Sequence, residues 1–562
     1  MSLVGCRDGH SPAPAGPADL IFVNADVITM DDQVPAAQAV AVSGQTIVAV
    51  GTDQDLQRWR GPHTTVVDLD GRTIVPGFID AHQYRVQKYA DAGYADPAAA
   101  VDAAVQQGWT TLEELYADPG VLPELHDLDQ AGRLGPWVDA YLPVMLYDAA
   151  GTSLGSWYQA YHQGQVLSPH VRVAGLIGFT DYDNATVLLW QQDALNAFLL
   201  DSARQGWSVA LKTVSTRSLE MILRAEENLA RVDPDAARDT RVRLEHALFI
   251  TADQIARIKK LGLIPVINLN NPGQLVGESD VDQFITREPA GSYTPWRSLE
   301  AAGIPVANGT GWPSYFVDEP TGAPFGSPVH LLYQAVTRVG NLGRQPYPWL
   351  LDQTITVSQA LRAMTIDSAY ATSEEATKGS ITPGKLADLV VLSADPVTAP
   401  VSQINDINVL LTMIGGRVAW CSPSARACPA TATASAAAAP TTSLSVDPFV
   451  GTWSATDPTD GSEMSLRVSR DASGYQVTLT DTKARICGVG SGGAHGVPAE
   501  VQAHGNREGN VLTTDVTSLT CLAEPPTTER PTLQIVYTYD PAQDTLRDSA
   551  QDATWHRQPV AP

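Results

Sequence analysis

Short apolar runs broken by Gly and Asp turns open the chain. Leu20–Val23, Ala39–Val42 and Ile47–Val50 lie between Asp19 and Thr73 and predict β-strands. Far downstream, residues 384–392 and 409–419 repeat that pattern. Between the two flanks, apolar runs alternate with amphipathic stretches of helical period, as repeated βα units require. The strand candidates are Phe78–His82, Trp109–Leu112, Val138–Met145, Val171–Phe179, Ser208–Val214, Val242–Phe249, Ile264–Leu269 and Ile304–Asn308. Helical patterns such as Ser218–Ala230 and Ala252–Leu261 separate them. The series predicts an α/β protein built on a (β/α)8 TIM-like barrel, with its site at the C-terminal ends of the strands. A Pro/Ala/Thr/Ser tract, Pro429 to Ser445, reads as a linker. After it, residues 449–453, Met464–Val468, Tyr475–Leu479, Leu512–Val516 and Leu533–Tyr539 predict a small antiparallel all-β domain. His495, His504 and His556 in that part are expected on surface loops.

Composition narrows the functional classes. A chain of 562 residues exceeds one ordinary core, so two or three domains are expected. A formal net charge of −26 sets the surface against nucleic acid and leaves a small-molecule ligand as the expected partner. No stretch reaches the roughly 18 apolar residues of a membrane-spanning helix. Five cysteines permit the economical pairing Cys421–Cys428 and Cys487–Cys521, which implies an oxidising compartment; four buried free thiols are the alternative. The odd Cys6 follows Leu3-Val4-Gly5, which resembles a bacterial lipobox, and Ser11–Pro17 would be the tether. The basic and apolar regions of a signal peptide are missing before it. The expectation is an envelope or extracellular protein attached to a membrane through lipidated Cys6.

The segment from Val75 to His82, Val-Pro-Gly-Phe-Ile-Asp-Ala-His, resembles the first barrel strand of the amidohydrolase superfamily. Residues 355–365, Lys378-Gly379-Ser380, residues 384–388 and residues 414–418 extend the likeness, in the branch resembling N-substituted formamide deformylase. The resemblance covers Asp19 to Trp420. It implies a composite β-sandwich formed by 19–75 and 381–420 and a barrel over 76–380; outside it, composition and strand pattern give a leader of 1–18, a linker over 421–446 and a β domain over 447–562. It also implies hydrolysis of non-peptide carbon–nitrogen bonds, in amides or cyclic amides, by water on one or two divalent metals.

The ligand positions that the resemblance implies are largely rewritten. The first strand should carry His-x-His, but this chain has His82 and Tyr84. Ile177 stands at the carboxylated-lysine position of the fourth strand, Lys212 at the histidine of the fifth, and Gly311 at the aspartate of the eighth; His246 is kept on the sixth. His82 and His246 alone are two neutral nitrogens, enough for a weak mononuclear zinc-like site at most. Lys212 adds a positive charge where the cation would sit. The loop after the first strand is short, from Tyr84 to Gln107, so a wide and wet mouth is expected.

Lys212, His246, His82 and Tyr84 are therefore the candidate catalytic residues. Lys212 suits a desolvated nucleophile or base, or else it replaces the metal's charge and pairs with a carboxylate. The histidines suit acid–base work or are hydrogen-bonded core residues. Tyr84 suits an oxyanion donor or fills the vacated space. Asp181 and Asp183 are expected to cap loops. Three functions follow: a C–N hydrolase with a residual metal, a metal-independent enzyme centred on Lys212, or a non-catalytic envelope binding protein.

Overall fold

The apolar runs at the two flanks of the chain pair with each other. In the computed structural model, Leu389–Leu392 lies antiparallel to Thr73–Pro76, with Leu389 opposite Pro76 and Leu392 opposite Thr73. Described residues are 16–145, 155–181, 187–270, 288, 291–311, 326–339, 346, 348–423, 428–429, 449, 451–457, 462–471, 474–489, 496–508, 510–521, 527–529, 533–540, 545–550 and 553–557. The linker tract from residue 430, Cys6 and His495 lie outside them. Two compact units divide the chain, residues 1–434 and 435–562.

The first unit opens with a sandwich of two sheets. One orders Thr46–Gly51, Ala39–Ser43, Leu20–Val23 and Thr65–Asp68; the other runs from Arg417–Cys421 through Val409–Ile414, Leu389–Leu392, Thr73–Pro76 and Asp26–Ile28 to Ala36–Ala37. Phe22, Val40, Ile74, Leu389, Leu411 and Met413 fill the space between them. Alternation along each strand sends these side chains to one face.

The barrel strands are β1 (Phe78–Gln83), β2 (Trp109–Glu114), β3 (Trp137–Pro143), β4 (Val171–Phe179), β5 (Val209–Thr213), β6 (Val242–His246) and β7 (Ile264–Val266). They form one parallel sheet in sequence order. The eighth place departs from the expected strand. Residues 304–308 contribute a single parallel bridge, Val266 with Ala307. They close the barrel by isolated bonds, Ala307 N–H to Pro265 on one side and Ala81 N–H to the Asn308 carbonyl on the other, at 3.0 Å each. At Gly309 the backbone runs so close to β1 that a Cβ would fall 2.2 Å from that of His82, so only glycine fits. The barrel is nearly closed, with seven laddered strands and one irregular stave.

Other boundaries shift for local reasons. β6 stops at His246, short of the expected Phe249, because His246 and Ala247 take φ of 63° and 37°. The Tyr84–Gln107 connection holds a 3-10 turn, Tyr89–Ala92, and helix α1, Pro97–Gln106, which Asp96 caps by accepting from the Ala99 N–H. Helices α2 (Val121–Gln130), α3 (Gln192–Arg204), α4 (Thr216–Val232), α5 (Ala252–Leu261), α6 (Trp296–Ala301) and α7 (Pro328–Thr337) follow. α4 buries Leu219, Ile222, Leu223 and Leu229 at helical spacing. α5 begins with a Thr251/Gln254 capping box and ends at the left-handed Gly262.

The second unit is an antiparallel barrel. Strand Gly451–Thr456 pairs with Glu463–Asp471 and with Thr554–Arg557, and Gly496–Glu508 pairs with both Gly474–Val489 and Val511–Cys521, which brings the sheet round on itself. Its core holds Phe449, Trp453, Leu466, Tyr537, Leu546 and Trp555. His504 and His556 sit on strands, not on the expected loops, because the Gly-rich and terminal segments that carry them pair into the sheet. Cys421 is bonded to Cys428. Cys521 is disulfide-bonded as well, and the side chain of Cys487 lies outside those described.

Candidate active site

Parity along the strands decides which polar groups meet inside the barrel. On β6, Arg243 and Glu245 are both fully buried and point inward, while Val242 and Leu244 pack against the helices. Register places Phe179 beside Lys212 and Lys212 beside Glu245. The three therefore share one layer near the strands' C-terminal ends.

His82 is the hub. Its Nδ1 lies 2.7 Å from Glu245 Oε2 and its Nε2 lies 2.8 Å from the Tyr84 hydroxyl. Arg243 Nε donates to Glu245 Oε1 at 2.7 Å, its Nη1 to Glu113 and, at 2.7 Å, to the Tyr141 hydroxyl, and its Nη2 to the Ala81 carbonyl at 2.6 Å. Burial works against a charge on Glu245, yet the Arg243 guanidinium and His82 hold its pKa below the usual carboxylate value. Burial wins at Glu113 and pushes its pKa well up, because one guanidinium serves two acids.

His246 stands across from this hub, its ring centroid 4.4 Å from that of His82. Two successive non-glycine residues at positive φ turn the chain sharply there, a strain of about 1–3 kcal/mol each that the surrounding packing must hold. The ring remains partly accessible. Its Nδ1 faces Asn268 Oδ1 at 3.1 Å, an arrangement in which Nδ1–H donates and Nε2 keeps its lone pair. Burial lowers the His246 pKa well below the ordinary value, and the nearby His82 and Lys212 lower it further.

The four residues expected to form the site thus converge: His82, Tyr84 and His246 by direct contact, and Lys212 by its influence on His246. The Lys212 ammonium lies 5.4 Å from the centre of the Phe179 ring. Ile177 is buried among Leu115, Tyr141, Ala174 and Ala210, with Tyr84 packed against them. Asp181 caps as expected: it accepts from the backbone N–H groups of Val214 and Ser215, each at 3.0 Å, and from the Ser215 hydroxyl at 2.9 Å. Asp183, parts of the segments that follow β3 and β4 and most of that after β7 lie outside the described residues, and so does the width of the mouth.

A divalent ion at this place needs free lone pairs, and the donors do not fit one. Both nitrogens of His82 are occupied, by Glu245 and by Tyr84. At Gly311, φ is +64° and a Cβ would lie 2.7 Å from Asn268 Nδ2, so the Asn268 amide occupies the room a longer side chain would need. Among the described residues no three His, Cys, Asp or Glu side chains converge on one point.

Sequence reasoning missed Arg243, Glu245 and Glu113 as partners. The inward alternation Arg243-x-Glu245 was the available signal. Asn268 carried none, since it meets His246 only in the fold.

Residues 178–419 match the amidohydrolase family. The chain is similar to N-substituted formamide deformylase of Arthrobacter pascens, at 24% identity over 71% of this chain and 97% of that one. It is also similar to protein LONG AFTER FAR-RED 3 of Arabidopsis thaliana, at 29% identity over 72% and 92%. Among solved structures, an uncharacterized metal-dependent hydrolase of Pyrococcus horikoshii superposes with a TM-score of 0.56 at 14% identity, covering 68% of this chain and 99% of that one. That likeness shows a common fold.

Proposed function

We propose, with amidohydrolase kinship as the premise, that this chain hydrolyses a carbon–nitrogen bond in a small non-peptide amide or cyclic amide without a divalent metal. The observation that carries this reading is the meeting of an unprotonated His246 with the Glu245–His82–Tyr84 relay at the strands' C-terminal ends. There, His246 Nε2 accepts a proton from the attacking water and returns it to the departing nitrogen. The Tyr84 oxygen accepts from His82 Nε2–H, which leaves its own O–H to donate to the carbonyl oxygen as negative charge develops on it. Glu245 fixes the orientation of His82, and Arg243 keeps Glu245 charged. Lys212 contributes positive potential in the same layer. A His246 with so depressed a pKa is a weak base, so slow turnover is expected.

The test uses purified full-length protein after exhaustive chelation, assayed against N-formyl amines and cyclic amides. Turnover should persist without metal and fall on the order of 10²–10⁴-fold in His246→Gln. Activity that vanishes on chelation and returns with zinc would refute the mechanism. A second reading, a binding protein that does not turn its ligand over, draws support from Tyr84 closing off His82. Saturable binding of these amides with no product in either preparation would select it.

A further inference from the structure

Arg338 ends α7 with φ of 59° and is 1% exposed. Its Nη2 donates to the Thr294 carbonyl at 3.2 Å and to the Thr294 hydroxyl. Its Nε and Nη1 are buried and have no hydrogen-bond partner among the described residues. Among the described residues, the titratable group that acts on its charge is the phenol of Tyr293, itself buried and held neutral. Trp296 Nε1, two residues past Thr294, is a further buried donor with no acceptor among the described residues. A guanidinium is charged at every biological pH, and sealing it from water without a counter-charge is costly. Burial, opposed in part by Tyr293, brings its pKa down to about 10. The helix C-terminus and one threonine offset only part of that cost.

The place is close to the site. The Thr294 N–H donates to the Leu248 carbonyl at 2.6 Å, and Leu248 follows His246 by two residues. We propose that Arg338 binds a carboxylate beside the barrel mouth, supplied either by a free small acid or by the substrate itself. In the second form the proposal rests on the hydrolase reading and narrows its substrates to acidic amides. An oxygen anion accepting from Nε or Nη1 satisfies the open donors and the charge together.

Two measurements on the full chain test it. In the first, sodium acetate replaces sodium HEPES at constant ionic strength while thermal unfolding is followed. The wild-type Tm should rise and saturate, and Arg338→Met should be flat, with a higher Tm than wild type in the acetate-free buffer. In the second, calorimetry compares N-acetylglycine with N-acetylglycinamide. A preference of tenfold or more for the acid in wild type, lost in Arg338→Met, assigns the carboxylate to the ligand. An acetate response without that preference assigns a free acid. An Arg338→Met protein that responds like wild type, or a wild type that responds to neither probe, leaves the guanidinium to water and overturns the proposal. Should Arg338→Met fail to fold, Arg338→Lys keeps the charge without the planar fork. It should weaken the acetate midpoint several-fold, and an unchanged midpoint would overturn the proposal equally. These readouts need no turnover, so the hydrolase reading can fail while they succeed.

Discussion

The His82 ring is held at both nitrogens. With Tyr84 on Nε2 and Glu245 on Nδ1, the ring has no nitrogen left to offer. Tyr84→Phe removes the hydroxyl while keeping the packing against Ile177, so folding should survive and kcat should drop about 10–100-fold by loss of an oxyanion donor. A KM change with kcat intact would instead assign Tyr84 to binding. A second residue-scale consequence lies away from the site. Glu226 on α4 is buried, and burial raises its pKa from 4.5 to about 8. A raised carboxyl pKa means the fold holds the proton more tightly than the unfolded chain does. Its contribution is complete below pH 4.5 and is lost as pH rises through about 8. Glu226→Gln should therefore match wild type near pH 5 and exceed its stability by roughly 2–4 kcal/mol at pH 9. Denaturant titrations at the two pH values decide this, and parallel curves would show that Glu226 reaches water.

At the scale of elements, what was legible followed from period. α5 runs over Ala252–Leu261 as predicted because its cap residues bracket an apolar stripe, and β4 spans Val171–Phe179 because continuous apolar runs bury both faces of a barrel strand. Strand β6 ended early and the eighth stave lost its ladder, and neither could be read from apolar runs. Both depend on backbone constraints set across the fold: the turn at His246 and Ala247, and the approach of Gly309 to His82. The site was half legible for the same reason. Residue types at aligned positions identified His82, Tyr84, Lys212 and His246, whereas the partners that define their protonation come from other strands. Gly309→Ala tests the closure directly. A Cβ 2.2 Å from His82 Cβ forces β1 or the stave to move, and a loss of about 1–3 kcal/mol in thermal or chemical unfolding is expected, with activity reduced. Wild-type stability in that variant would mean the stave shifts freely.

At the scale of the whole molecule, the barrel and sandwich clusters both lie in the first unit, and the cluster around Trp453, Tyr537 and Trp555 lies in the second. Units that share no core residues are expected to melt separately. Calorimetry of the intact chain should show two transitions, and a chain ending at Ala434 should keep one of them. A single cooperative transition would show that the units stabilise each other. The strong negative charge is legible from composition alone, whereas the surroundings of the buried cations, Arg243 and Arg338 beside Arg85, Lys212 and Lys378, had to be seen to be understood.

The neighbourhood of Gly311 and Asn268 bears on how such a chain changes over generations. An aspartate introduced at 311 would collide with the amide already seated there, and trimming that amide alone would leave a gap beside His246. Positions 268 and 311 are thus expected to change together, each substitution being tolerated only when the other has made or filled the space.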